Sequence, residues 1–275
     1  MTYGFIGLGH QGTPMAERMI GAGLRPWLWA RRSEVLDRYA DADAELAATP
    51  AQVAAEADVI GLCMYDADAT DAVLWGPDGI MSAARAGTVL AIHATVGPAY
   101  VQDLAARVAT HGVHVVDAPV SGGPAAAEGK LLVIVAGDEE PRARCTPMFE
   151  TYAGRVVHVG GIGAAQAAKL INNSLMTAIT GLVFDAFDLG TALGIEQDGL
   201  ADVLGNGSAA NPSVPVYAAI GAEEFSIRAW PTLHKDVALV ESLDLPATQL
   251  VDVARATIAN MEIRRADYVA SRSTT

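Results

Sequence analysis

The stretch Tyr3-Gly-Phe-Ile-Gly-Leu-Gly-His-Gln-Gly12 decides the fold. An apolar run carrying Tyr3, Phe5 and Ile6 leads directly into Gly7-x-Gly9-x-x-Gly12, and a helical segment follows. In such a loop the first glycine permits a tight turn and the second lets backbone approach a pyrophosphate. The third lets helix and strand pack closely, and the helix N-terminus attracts phosphate. Alone the pattern is weak, and its bland alternative is a glycine-rich turn. Here a strand precedes it, a helix follows it and a second strand lies at the expected distance, which together indicate dinucleotide binding.

That second strand ends in Trp29-Ala30-Arg31-Arg32-Ser33. An acid at this point would hold the ribose 2′-hydroxyl of NAD, and there is none. Two guanidinium groups and a hydroxyl suit a 2′-phosphate, so Arg31 and Arg32 favour NADP over NAD. The alternative is a pair of solvated arginines on a loop.

Further apolar runs at 58–64, 88–93, 113–116, 131–136 and 156–159 alternate with alanine-rich amphipathic segments such as 98–110. Strand–helix alternation predicts an α/β domain built on a doubly wound parallel sheet of the Rossmann type, over residues 1–160. Beyond Gly160 the strand signals stop and helical periods continue, predicting an all-helical C-terminal domain over 161–275. The last five residues, 271–275, are expected to fray.

The bulk numbers narrow the function. Of 275 residues, 51% are apolar and 18% charged, which suits two folded domains rather than a disordered chain. A net charge of −14 argues against nucleic acid as partner, because phosphate backbones need concentrated Lys and Arg. It is compatible with a small carboxylate substrate in a locally basic pocket. The two cysteines, Cys63 and Cys145, form no metal-binding pattern and fit a reducing compartment. No basic region precedes the N-terminal apolar run, so it does not read as a signal peptide. The apolar segment 174–195 contains Asp185 and Asp188 and reads as a core helix rather than a membrane span. The expectation is a cytoplasmic protein without a membrane partner or a metal.

The segment Gly163-Ala-Ala-Gln-Ala-Ala-Lys-Leu-Ile-Asn-Asn173 opens the helical half. Lys169, Asn172 and Asn173 stand at i, i+3 and i+4, a spacing that places them on one helical face. Thr177 and Thr180 extend the stripe, while Leu170, Ile171, Leu175, Ile179 and Leu182 occupy the other faces. A polar stripe on an otherwise buried helix lines a cleft. Spacing alone leaves open a solvated lysine at an exposed helix start. Asp117-Ala-Pro-Val-Ser121-Gly122-Gly123 follows the strand 113–116 at the carboxyl edge of the sheet, where ligands bind in open α/β folds. Ser121 offers a hydroxyl and the two glycines offer backbone N–H groups, a cradle for a carboxylate; the alternative is a simple turn. Ala94-Thr95-Val-Gly-Pro98 lies on the same edge.

At this point the sequence resembles the β-hydroxyacid dehydrogenases, which include 3-hydroxyisobutyrate dehydrogenase and tartronate semialdehyde reductase. GFIGLGHQGTPMA, ATVGP, DAPVSGG, GAAQAAKLINN and His234-Lys235-Asp236 occur in that family's order and spacing, from about residue 3 to about 255. The resemblance implies that Lys169 is the catalytic lysine. It also implies that Ser121, Gly122 and Gly123 hold the substrate carboxylate and that Asn173 orients the substrate. Gly7, Gly9, Gly12, Thr95 and Lys235 would meet the dinucleotide. A lysine ammonium beside the developing oxyanion stabilises it and donates the proton, and in oxidation the neutral amine removes it.

Some residues depart from the family pattern. Ala94 stands where a hydroxyl is usual, His93 is new, Ala165 replaces a glycine, and Trp230 and Pro231 precede the late motif. His93 reads as a packed strand-end residue rather than a catalyst. The departures bear on the substrate, not on the reaction class. An imine reductase is a second enzyme reading, although such enzymes commonly place Asp or Tyr where this chain has Lys169. A decarboxylating 6-phosphogluconate dehydrogenase would have His at Asn172. A non-catalytic dinucleotide-binding protein is the reading from a different class. The small, apolar helical domain is also expected to form the interface of a homodimer, or of a homotetramer.

Overall fold

The structure, a computed structural model, describes residues 1–246 and 248–273, with every side chain among them except those at 124 and 269–273. The chain divides into two compact units, Met1–Lys169 and Leu170–Thr275.

The first unit alternates strand and helix: β1 (Tyr3–Ile6), α1 (Gly12–Gly21), β2 (Trp27–Trp29), β3 (Glu45–Leu46), α2 (Pro50–Glu56), β4 (Val59–Leu62), α3 (Ala67–Trp75), β5 (Val89–Ile92), α4 (Pro98–Ala109) and β6 (His114–Asp117). These strands form one parallel sheet in the order β3-β2-β1-β4-β5-β6. The chain reverses its direction of travel between β1 and β4, the switch point at which such sheets bind ligands. The sheet is buried on both faces because its strands alternate side chains with period two. Phe5, Val59, Val89 and Val116 join one core with Met15 and Met19 of α1. Ile6, Ile60, Leu90 and Val115 join the other, with Val53, Leu74 and Leu104 from α2, α3 and α4.

The runs near 131 and 156 are strands but do not extend that sheet. They form β8 (Leu131–Val135) and β9 (Ala153–His158), which pair in parallel around α5 (Glu139–Tyr152). A short antiparallel strand, β7 (Val120–Ser121), completes this three-stranded sheet. A lone bridge between Asp117 and Ala136 is where the two sheets meet.

Among the described residues four helices follow: α6 (Ala164–Ala192), α7 (Gln197–Asn206), α8 (Ser213–Glu241) and α9 (Gln249–Ser273). Helix α8 is broken at Gly221, whose φ of 72° no helix accommodates. In the second unit Phe187 stacks on Tyr217 with centroids 4.0 Å apart. A Cβ at Gly181 would overlap Thr257, so glycine is what lets α6 and α9 approach there. Helix α9 runs to Ser273, and of the tail expected to fray, Thr274 and Thr275 lie outside the described residues.

Candidate functional site

The glycine loop sits at the carboxyl end of β1. Gly7 adopts φ 103°, and a Cβ there would overlap the Cys63 carbonyl at the end of β4. A Cβ at Gly12 would overlap the Gly7 carbonyl, so the third glycine lets α1 start against the turn. At Gly9 nothing stands within 4 Å of where a Cβ would be. Two of the glycines are thus required by the fold itself, while the middle one faces open space. A cleft of about 580 Å³ opens there, lined by Gly7, Gly9, Trp29, Arg31, Arg32 and Met64 among others. A neighbouring hollow of about 500 Å³ shares Gly9 and Arg32 and adds His10 and Arg38. Arg31 and Arg32 are exposed. The side-chain nitrogen of Gln11 in the loop is buried and has no partner among the described residues. A cradle that only glycine leaves open, an unpaired buried donor and two guanidinium groups at its rim fit an anionic dinucleotide.

Further along the edge, Thr95 is half-buried in the loop between β5 and α4. Ser121 ends β7, and Gly122 and Gly123 follow with φ of 114° and 36°. Both lie in the left-handed region, so two consecutive glycines are needed to turn the chain after Ser121.

Between these segments and α6 lies a buried polar network absent from the sequence reading. Asp117, at the end of β6, is fully buried. Its Oδ2 accepts the backbone N–H groups of Gly163 at 3.0 Å and Gln166 at 3.2 Å, which open α6. The Gln166 side-chain nitrogen donates to Asp117 Oδ1 at 2.9 Å and to the Ala94 carbonyl at 3.1 Å. The Gln166 side-chain oxygen accepts the Val96 N–H at 2.9 Å. Burial pushes the Asp117 carboxyl up, against the opposing pull of its Gln166 and backbone donors.

Helix α6 buries polar residues beside apolar ones such as Leu170, Phe184 and Phe187. Lys169 is 8% exposed, and Asn173, Thr177 and Thr180 are buried with it. Of the apolar residues on its other faces, Leu170 is buried and Ile179 half-buried, whereas Ile171 is 61% exposed and Leu182 58%; further along the helix Leu189 is 60% exposed. Asn172, grouped with Lys169 on spacing, is exposed and donates to the side-chain oxygen of Asn173 at 3.0 Å. Asn173 in turn donates to Asp236 at 2.5 Å, and Asp236 also accepts Lys235 at 2.8 Å. Asp236 is 1% exposed. It links two residues of the sequence reading although it was given no role there.

His93 stands in the core, as its strand-end position suggested. Its Nδ1 donates to the Ala118 carbonyl at 2.7 Å, and its Nε2 accepts from the Tyr152 hydroxyl at 3.1 Å. Phe5, Phe149 and Tyr152 surround the ring, and burial pushes its pKa down to about 4. Trp230 lies between His234, stacked at 4.5 Å, and the guanidinium of Arg265 at 4.2 Å.

Comparison with known proteins gives concordant matches. Residues 2–160 match the family model described as the NAD binding domain of 6-phosphogluconate dehydrogenase. An L-threonate dehydrogenase of Cupriavidus necator is 35% identical over 202 residues, spanning 73% of this chain and 68% of that protein. The solved structure of Mycobacterium tuberculosis 3-hydroxyisobutyrate dehydrogenase with L-serine is 25% identical, with a TM-score of 0.75 over 94% of this chain and 92% of that one. A Streptomyces aurantiacus imine reductase shares the fold at 21% identity, with a TM-score of 0.66 over 98% and 95% of the two chains.

Proposed function

The chain belongs to the β-hydroxyacid dehydrogenase family and is a nicotinamide-dependent oxidoreductase, and from that premise we propose the residues, cofactor and substrate class of its reaction. The observation that carries the proposal is the burial of Lys169 and Asn173 one turn apart on α6, while Ile171, Leu175 and Leu182 of the same helix stay exposed. Burying a lysine and an amide at the expense of leucines is unfavourable unless the polar groups are used.

We assign residues 1–160 to dinucleotide binding and 161–275 to substrate binding and self-association. Gly7, Gly9 and Gly12 would hold the pyrophosphate, and Thr95 and Lys235 the nicotinamide end. Arg31 and Arg32 would hold a 2′-phosphate, making NADP the preferred cofactor. When bound, the nicotinamide supplies the hydride in reduction and receives it in oxidation. Ser121 and the N–H groups of Gly122 and Gly123 would hold the substrate carboxylate. Asn173, its side chain fixed by Asp236, would orient the substrate oxygen. Lys169 Nζ would donate a proton to the carbonyl oxygen in reduction, and in oxidation its neutral amine would take the hydroxyl proton. The substrate class is a short β-hydroxy acid or its semialdehyde. L-Threonate and 3-hydroxyisobutyrate, from the names of the relatives, head the candidates.

The exposed leucines of α6 support a homodimer or homotetramer, because an apolar stripe of this length is a contact surface.

The test is the initial rate of nicotinamide reduction with NADP and NAD separately. The panel is L-threonate, 3-hydroxyisobutyrate, glycerate, 3-hydroxypropionate and L-serine. Turnover of at least one acid supports the reading. Tight cofactor binding without turnover of any acid supports a non-catalytic dinucleotide-binding protein instead.

A further inference from the structure

We propose that Gln166, held by Asp117, is a positioning residue that sets Lys169 in register with the Ala94-Thr95-Val96 loop. The proposal rests on the reading of Lys169 as the proton-transfer group.

Gln166 lies three residues before Lys169 on α6, about 4.5 Å along the helix axis. A helix is stiff over one turn, so whatever fixes Gln166 fixes Lys169 nearly as well. The Gln166 amide is engaged on both of its atoms. Its nitrogen reaches Asp117 at 2.9 Å and the Ala94 carbonyl at 3.1 Å, and its oxygen takes the Val96 N–H at 2.9 Å. The last two bonds straddle Thr95 and pin the backbone on either side of it. Asp117 stands four residues before Ser121, so the carboxylate-cradling loop departs from the same anchor. Two side chains therefore join the three segments assigned to nicotinamide, carboxylate and proton transfer.

A purely structural cap would need less. Asp117 Oδ2 alone satisfies the N–H groups of Gly163 and Gln166 at the helix start. The Gln166 side chain adds nothing to that cap at Ala94 and Val96. Those bonds fix the loop relative to the helix, which is a requirement of geometry at a reacting site rather than of helix formation.

The titratable groups around this network are Asp117 itself, Lys169 on the same helix, and His93. The last bonds the carbonyl of Ala118, next in the chain to Asp117, and stays neutral above about pH 4.

Three variants test the proposal in the full-length protein. Gln166→Met keeps the volume and loses every side-chain bond. Its kcat is expected to fall about 10- to 100-fold, the scale of a misplacement near 1 Å, with the Kd for NADPH changing by less than kcat does. Gln166→Glu keeps the Val96 bond but sets a second carboxylate against Asp117. A shared proton restores the bond between them, so its kcat is expected to recover as pH falls and to drop as pH rises, relative to wild type. Asp117→Asn, which sets an amide where Oδ1 or Oδ2 accepted, is expected to follow Gln166→Met.

A second readout needs no substrate. The pH profile of Lys169 labelling by an amine-acylating reagent, followed by mass spectrometry, is expected to shift in Gln166→Met. A wild-type kcat and labelling profile in Gln166→Met, with only a lower melting temperature, would overturn the proposal and leave Gln166 as a structural tie between α6 and the 94–96 loop. If wild type turns over none of the acids, the reading of Lys169 fails separately, and the labelling profile alone decides whether Gln166 positions it.

Discussion

The Tyr152 hydroxyl donates to Nε2 of His93 across 3.1 Å, while His93 Nδ1 donates to the Ala118 carbonyl. A neutral ring satisfies both partners in these roles, and burial holds the pKa at about 4 against an ordinary 6.5. The folded chain therefore takes up this proton near pH 4, and the unfolded chain near 6.5. The contribution to stability is complete above pH 6.5 and is lost as pH falls through that window, by about 3 kcal/mol at most. Urea unfolding of wild type and of His93→Phe/Tyr152→Phe at pH 7.5 and 4.5 measures it. The double variant is expected to be less stable at pH 7.5 yet to lose less on acidification. Equal losses in the two proteins would mean that His93 is not held neutral.

The three loop glycines separate fold from binding. Gly9→Ala adds a methyl to open space and is expected to leave stability within about 0.5 kcal/mol of wild type. It is expected to weaken NADPH binding where the pyrophosphate approaches. Gly12→Ala drives a methyl into the Gly7 carbonyl and is expected to cost about 1–3 kcal/mol as well as binding. Denaturant titration and NADPH fluorescence report the two effects. A Gly9→Ala protein that binds normally would remove the middle glycine from the cofactor site.

Arg31→Ala and Arg32→Ala test cofactor choice. If these guanidinium groups meet a 2′-phosphate, each variant is expected to raise the Kd for NADP about 10-fold or more and to leave that for NAD unchanged. Equal losses for both cofactors would return the arginines to the solvated-loop reading.

Self-association is tested on the outer face of α6. Wild type is expected to elute well above its chain mass of 28.5 kDa, and Leu182→Glu/Leu189→Glu to shift toward that mass. A wild-type monomer at micromolar concentration would dispose of the interface.

Much of this was legible in the sequence where short-range chemistry decides. The glycine loop, the strand–helix alternation and the late all-helical half follow from local pattern. Glu45–Leu46 and Val120–Ser121 are too short to carry a period, and their pairing comes from neighbours distant in the chain. Strand signals at 131 and 156 were visible, but their separate sheet was not, because register depends on partners and not on composition. On α6 the grouping of Lys169 with both asparagines had to fail in part. Residues 172 and 173 point about 100° apart, so one narrow face keeps only one of them. Burying Lys169 and Asn173 while Ile171 and Leu182 stay exposed breaks the usual rule in part, which is what a functional helix does at the cost of local consistency. Asp117 was quoted in its motif and Gln166 in its own. Nothing in one sequence ties them across 49 residues.

The most direct measurement of the central claim is kcat for Lys169→Ala on the best acid found, with the Kd for NADPH measured on the same protein. Loss of the proton-transfer group is expected to lower kcat about 10²- to 10⁴-fold while the Kd stays at the wild-type value. Turnover within a few-fold of wild type would contradict the account and move the acid–base role away from Lys169.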